Sequence, residues 1–332
     1  MSHLSRGISL FALGLAFQAL SAVALAKGPA YTDPDKADAD FPFVGEYVGT
    51  IKNDDGDVKI GAQVIALGGG KFRAVAYPGG LPGDGWNKEE NPRQSDGERQ
   101  GDTVVFKTDN ASAALKDGVI KVMDTDGKPI TELNKLNRSS PTLGAKPPQG
   151  AVVLFDGKNA EAFEGGKAEE GLLLPGCTSK QKFGNQKVHI EFRLPYQPED
   201  SGQARGNSGI YLQGRYEVQM LDSFGLEGKD NECGGLYSVK NPDVNMCLPP
   251  LSWQTYDIEY TAAKFDDSGK LVAKPRITVQ HNGVTIHKDV ELPGDRGTTA
   301  APVSPGKDPG PIYLQDHGNP VRYRNIWVVE TK

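Results

Sequence analysis

Almost every apolar run in this chain is short, alternates with polar residues and is cut off by Gly, Pro, Asn or Asp. A period of two belongs to a strand with one face buried, whereas an amphipathic helix needs 3.6. The 41 Gly and 23 Pro among 332 residues supply the turns and argue against a helical bundle, because both residues disfavour helix interiors. There are no heptads and no strong internal repeat. The chain is therefore predicted to be all-β. Hydrophobic residues make up 37 % and charged residues 24 %, enough for packed cores and too apolar for wholly disordered chain. The 37 Lys and Arg against 43 Asp and Glu leave a net charge of −6, so no basic field points to nucleic acid or an anionic membrane surface.

The N-terminus carries Arg6, the apolar run Ile8 to Ala26 and the ending Ala24-Leu25-Ala26. A positive start, an apolar stretch and a small-residue A-x-A end predict a cleavable signal peptide over residues 1–26 and a periplasmic or secreted product. Cleavage removes one Arg and no acid, changing the charge from −6 to −7, and residues 27–332 hold no further run long enough for a membrane helix. Export allows Cys177, Cys233 and Cys247 to oxidise. Cys233 and Cys247 bracket a short Gly- and Pro-containing loop and are expected to pair, leaving Cys177 as a lone, buried thiol.

At roughly 100–200 residues per domain, two domains are expected. Residues 27–136 read as a small antiparallel barrel or sandwich. Strands are predicted at 44–51, 63–67, 71–77, 103–107 and 119–122, with Gly68-Gly69-Gly70 turning the second into the third. The Gly-, Pro- and charge-rich stretch from Pro78 to Gly101 reads as an exposed loop. Residues 137–150 (NRSSPTLGAKPPQG) have no apolar period and read as a linker. Residues 151–332 hold many short strand candidates and few helical patterns, which predicts two stacked antiparallel sheets.

Chemistry concentrates in two stretches. From Gly206 to Asp222, read as one strand, Ile210, Leu212, Tyr216, Val218 and Met220 form a core row. The alternate row is Tyr211, Gln213, Arg215, Glu217 and Gln219. A carboxylate, a guanidinium, amides and an aromatic ring are what a sugar needs, and the row is read as a binding groove rather than a solvated face. Asp222 has the opposite parity and reaches that groove only through a strand end or bulge. In the second stretch Tyr313, Gln315 and His317 share a face, with Asp316 beside them, and an imidazole can move protons near neutral pH. His189, Glu191 and Arg193 also alternate onto one face, read as solvated or groove-edge. His281 and His287 flank the Asn282-Gly283 turn and are expected at the surface. Asp54-Asp55-Gly56-Asp57 and Asp124-Thr125-Asp126-Gly127 read as hairpin turns, since neither has the closing Glu of a calcium loop. No phosphate-binding Gly-rich loop, zinc spacing or serine-hydrolase elbow is present.

Five pieces occur in order: Val153-Leu154-Phe155-Asp156-Gly157-Lys158, Asn207 to Leu212, Arg215-Tyr216-Glu217-Val218-Gln219-Met220-Leu221-Asp222-Ser223, Trp253-Gln254-Thr255-Tyr256-Asp257 and Leu314 to Trp327. Together they make residues 150–330 resemble the 3-keto-disaccharide hydrolase domain family. The resemblance implies a concanavalin A-like jelly-roll sandwich, exported sugar metabolism and action on glycosides already oxidised at carbon 3. It implies a base, an acid and an enolate stabiliser. Glu217 or His317 would be the base, Asp222 or Asp316 its partner, and Arg215 or Arg324 the stabiliser, with Tyr211, Gln213, Gln219 and Gln315 holding the sugar. A divalent cation on carboxylates with His317 is compatible with these residues but not dictated by their spacing. No other cofactor is implied, and oligomeric state is left open. The alternative is a non-catalytic, lectin-like module on the same fold, because a fold does not fix a function. The N-terminal block resembles leader domains joined to this family and has no activity assigned to it.

Overall fold

A computed structural model describes residues 28–54 and 56–332. Residues 1–27, which include the expected signal peptide, and Asp55 lie outside the described residues. Among them, helix is confined to three short 3-10 turns, and no helix is long and apolar enough to cross a membrane.

The N-terminal unit is a closed barrel of eight antiparallel strands. They are β1 (Gly45–Ile51), β2 (Val58–Ala66), β3 (Lys71–Pro78), β4 (Arg93–Gln100), β5 (Thr103–Lys107), β6 (Ala111–Lys116), β7 (Val119–Asp124) and β8 (Pro129–Leu136). Each strand pairs with the next, and β8 returns to β1 with Glu46 opposite Leu136. Closure leaves no unpaired edge. The alternating residues Tyr47, Val64, Phe72, Val75, Val104, Phe106, Leu115, Ile120 and Leu133 fill the interior. Gly68, Gly69 and Gly70 all have positive φ, the conformation that the β2–β3 turn demands. The stretch expected to be an exposed loop, 78–101, contains strand β4. Its polar sequence RQSDGERQ hides the period of two, and only Gly97 is buried.

The remaining strands are β9 (Val152–Phe155), β10 (Phe163–Glu164), β11 (Ala168–Glu169), β12 (Leu172–Leu173), β13 (Cys177–Phe183), β14 (Gln186–Arg193), β15 (Ser208–Leu212), β16 (Tyr216–Met220), β17 (Trp253–Thr261), β18 (Lys264–Phe265), β19 (Leu271–Ala273), β20 (Arg276–His281), β21 (Val284–Glu291), β22 (Gly310–Leu314) and β23 (Arg322–Glu330). A five-stranded sheet runs β10-β13-β22-β15-β16 and a larger one β11-β12-β23-β14-β17-β20-β21, with β9 also on β23. Neighbours distant in sequence give the crossed connections of a jelly-roll sandwich. The expected core row is buried in full, facing Val188, Ile190, Phe192, Tyr256, Ile258, Ile277 and Val279 of the larger sheet.

The stretch from 208 to 220, read as one strand, is a hairpin. It turns at Gln213 and Gly214, whose φ values are 54° and 65°. Ile210 pairs with Val218 and Leu212 with Tyr216, so parity survives the turn and each row keeps its face. Residues 137–150 form a strap packed along the outer face of the larger sheet. The Arg138 guanidinium binds both carboxylate oxygens of buried Glu46 in the barrel. Thr142 Oγ1 donates to Asp257 Oδ2 at 2.7 Å, and the Gly144 N–H donates to Glu191 Oε1 at 2.5 Å.

Candidate active site

The hairpin β15–β16 and the neighbouring strand β22 bring the polar row together on the outer face of the five-stranded sheet. Tyr211 lies opposite both Glu217 and Tyr313. Its hydroxyl donates to Glu217 Oε2 at 2.7 Å and accepts from Gln315 Nε2 at 3.2 Å. The Tyr211 and Tyr313 rings meet at 5.3 Å. Toward the other end, Gln219 Nε2 donates to Gln203 Oε1 at 3.1 Å, and Asn207 Nδ2 donates to the same oxygen at 3.1 Å. The Asn207 N–H donates to Asn319 Oδ1, which places the 315–319 turn and His317 at this end of the face.

Gly209 lies between these groups. A Cβ there would overlap the Glu217 carboxylate, so the absent side chain makes the space that the acid occupies. Two loops cover Glu217 from the sheet edge. The Thr298 hydroxyl accepts from the Glu217 N–H at 3.0 Å, and the Tyr237 N–H donates to the Glu217 carbonyl. The loops meet where the Ser238 and Thr299 hydroxyls bond at 2.8 Å. Tyr313, Gln315 and His317 remain half-exposed, which leaves the β22 side as the open approach.

Burial governs the electrostatics. Glu217 is 2 % exposed, and desolvation pushes its carboxyl up to about 8 against the opposing hydrogen bond from Tyr211. Desolvation and then the Glu217 charge push the Tyr211 phenol far upward, so it stays a donor. Among the described residues, Glu217 Oε1, Asn207 Oδ1 and His317 Nδ1 are buried atoms of this face with no hydrogen-bond partner. Of these, Glu217 Oε1 lies against Gly209, and an unpartnered buried polar atom is what a bound polar molecule completes.

Other expected site residues lie elsewhere. Gln213 Oε1 accepts from Tyr260 at 3.0 Å and from Arg215 at 2.7 Å. Arg215 also donates to the carbonyls of Ser304 and Asp308. The two side chains clamp the loop before β22 because the turn between β15 and β16 removes them from the row. Asp222 accepts from Arg205 Nε at 2.6 Å in a buried ion pair, and Arg205 reaches the Ala66 carbonyl of the barrel. Asp316 is exposed and accepts from the Gly318 N–H. Arg324 belongs to the larger sheet, 2.6 Å from Glu191 and stacked over Trp253. The expected Cys233–Cys247 bridge is not formed. All three cysteines are free, buried thiols, and Cys233 Sγ bonds the Tyr256 hydroxyl at 3.3 Å. Burial pushes the Cys177 thiol up to about 12, which makes it unreactive. His281 and His287, expected at the surface, are both fully buried. Their Nε2 atoms bond Gln254 Oε1 at 3.0 Å and the Gly234 carbonyl at 2.8 Å. His189 and Glu191 are buried beneath the strap, with His189 Nδ1 2.6 Å from Asp257 Oδ1. Among the described residues no group of three His, Cys, Asp or Glu side chains is arranged to hold a metal ion.

The family model for the 3-keto-alpha-glucoside-1,2-lyase-like domain matches residues 150–329, more than half of the chain. The chain belongs to that family. A candidate glycosyl hydrolase from Parabacteroides distasonis is 35 % identical over 55 % of this chain and 85 % of its own, with a TM-score of 0.51. A second from the same organism is 16 % identical over 55 % of this chain and 95 % of its own, with a TM-score of 0.42. No curated protein matches. The 3-keto-alpha-glucoside-1,2-lyase-like domain contains the whole polar face around Glu217, and the barrel lies outside it. Sequence reasoning passed over Gln203 and did not use Asn207. Asn207 shares the parity of Tyr211 and was legible from it, whereas Gln203 lies in a 3-10 turn without period.

Proposed function

We propose that the protein is an exported enzyme that cleaves 3-keto-glycosides by elimination and hydration, with Glu217 as the base. The observation that carries this reading is a buried carboxylate raised to about 8 with one oxygen left unpartnered. A ketone at carbon 3 acidifies the hydrogen on carbon 2. A carboxylate that holds protons this strongly is a far better base toward carbon than an ordinary one, and its value lies near working pH. Glu217 takes the carbon-2 proton, and its electron pair becomes the carbon 1–carbon 2 double bond. The glycosidic oxygen leaves carbon 1 and takes a proton from His317, whose orphaned Nδ1 marks it for the role. Water then adds hydroxide to carbon 1 and a proton to carbon 2, completing net hydrolysis. Asn207, Gln219 and Gln315 amides and the Tyr211 hydroxyl orient the sugar and the developing enolate oxygen. Direct displacement would instead use two carboxylates about 5–10 Å apart. Asp222, the other acid of the stretch, is committed to Arg205. A purely lectin-like module would have no use for a desolvated base.

The test is turnover of 3-keto-disaccharides in deuterium oxide, followed by proton NMR at early times. The expected result is deuterium at carbon 2 of the released keto sugar and loss of turnover in Glu217→Gln. Release without deuterium would overturn elimination. No release from any of several 3-keto-disaccharides would overturn the activity.

A further inference from the structure

The barrel lies outside the matched domain, yet the two share a cavity. A cavity of about 290 Å³ lies between β3, the Leu81–Pro92 segment and β4 on one side and the 225–227 loop with Asn245 on the other. Its walls carry two aromatic rings, Tyr77 and Trp86, whose centroids are 5.2 Å apart and nearly perpendicular. Trp86 is held in place because its Nε1 donates to the Glu90 carbonyl at 3.0 Å. Gln94 and Asn91 add amides to the lining and Glu227 a carboxylate, whereas the Asn245 amide is spent on the Ser223 and Leu226 carbonyls and the Cys247 N–H. The Lys88 ammonium is already engaged with the Pro242 and Asp243 carbonyls across the gap. A fixed indole beside two amides and a carboxylate, with the nearby cation occupied, suits a neutral sugar ring with its hydroxyl donors rather than an anion.

The wall that the sandwich supplies is also a wall of the Glu217 site. Gly225 packs on Ile65 of the barrel. Six residues later the Asn231 carbonyl accepts from Gln203 Nε2 at 2.8 Å and from Gln219 Nε2 at 3.5 Å. One short loop therefore lies between this cavity and the side chains around Glu217.

We infer that the cavity between Trp86 and the 225–227 loop is a second sugar subsite, which binds a neutral hexose unit of a glycan longer than a disaccharide. This assignment of substrate class rests on the glycoside-cleaving reading for its biological sense, but its binding chemistry stands alone. Full-length protein carrying Glu217→Gln is titrated by calorimetry and tryptophan fluorescence with maltotetraose, cellotetraose and laminaritetraose. One of them is expected to bind and to perturb the fluorescence. Adding Trp86→Ala should weaken that binding about tenfold, as loss of one stacked ring does. Gln94→Leu, an exposed and structurally mild change, should weaken it with the melting temperature unchanged. Binding of no tetraose, or equal binding with and without Trp86, overturns the subsite. Turnover of a 3-keto-disaccharide by wild type reports on the Glu217 site alone. Its absence alongside Trp86-dependent binding would remove the catalytic reading and leave the subsite standing. Its presence without such binding would do the reverse.

Discussion

At the scale of single residues, Glu217 and Gly209 decide the site together. A carboxylate costs several kcal/mol to desolvate unless paired, and among the described residues the Glu217 carboxylate has only one donor, Tyr211. Its folded value of about 8 lies above the unfolded value near 4.5, so the folded state holds the proton more tightly. Stability from this group is complete below about pH 4.5 and is lost as pH rises through 8. Glu217→Gln should therefore abolish turnover, with kcat down at least about 100-fold, while raising stability at pH 8 by about 2 kcal/mol. Urea melts at pH 5 and pH 8 check the second half, because the gain should shrink at the lower pH. In wild type, kcat/KM should rise with pH along a limb near 8, since a base must first lose its proton. Gly209→Ala places a methyl group where the Glu217 carboxylate sits. The acid must swing away, so activity should fall about tenfold or more with little change in melting temperature, the displaced group being a flexible side chain.

At the scale of elements, the turn between β15 and β16 and the strap each reassign groups that alternation alone would have grouped otherwise. Gln213 and Arg215 occupy the turn, so they clamp the following loop instead of lining the face. The Arg215 carbonyl also accepts from the Thr298 N–H, and Thr298 holds the Glu217 backbone. Arg215→Met should thus cost about 2–4 kcal/mol by leaving buried acceptors unpaired. It should lower kcat without any direct contact with substrate, which stopped-flow turnover and denaturation on the same sample would measure. The strap covers His189, Asp257 and Glu191. Hydrogen bonds from His189, Asn325, Arg324 and the Gly144 N–H outweigh desolvation and hold the Glu191 carboxyl down at about 2. Thr142→Val keeps the shape but removes a donor to Asp257 and a partner of Thr255. A loss of about 1–2 kcal/mol in urea denaturation at pH 7 is expected.

At the scale of the whole molecule, barrel and sandwich share interlocking side chains. Tyr31 pairs with Tyr196 through their backbones at 2.9 Å before the chain enters the barrel, and Arg205 returns from the sandwich to Ala66. The buried imidazoles tie stability to acidity. Burial pushes His281 down to about 3 and His287 down to about 4. Folded values below the unfolded 6.5 mean that unfolding takes up protons in acid. Their contribution is complete above pH 6.5 and falls away toward pH 3–4, by about 2 kcal/mol per histidine between pH 6.5 and 5. Denaturation midpoints at those two pH values should show the drop, and His281→Gln should reduce it.

The period of two, the turn residues and the ordered motifs were enough to place an all-β chain, a sandwich over the second half and the rows of the β15–β16 hairpin. Those properties depend on neighbours along the chain, and parity survives even an unrecognised turn. Glu217, Tyr211, Gln219 and Gln315 were legible for that reason. Long-range pairing decided everything else. Strand β4 is polar on almost every residue and becomes a strand only because β3 and β5 supply its hydrogen bonds. Arg324 and Asp222 carry the right chemistry but lie on other surfaces, because strand order rather than sequence distance sets which faces meet. Local composition made His281 and His287 look exposed, and tertiary packing buried them by bringing Gln254 and the Gly234 carbonyl to their ring nitrogens. Nothing in the spacing of Glu217 announced its raised basicity either, since desolvation is a property of what folds over a residue.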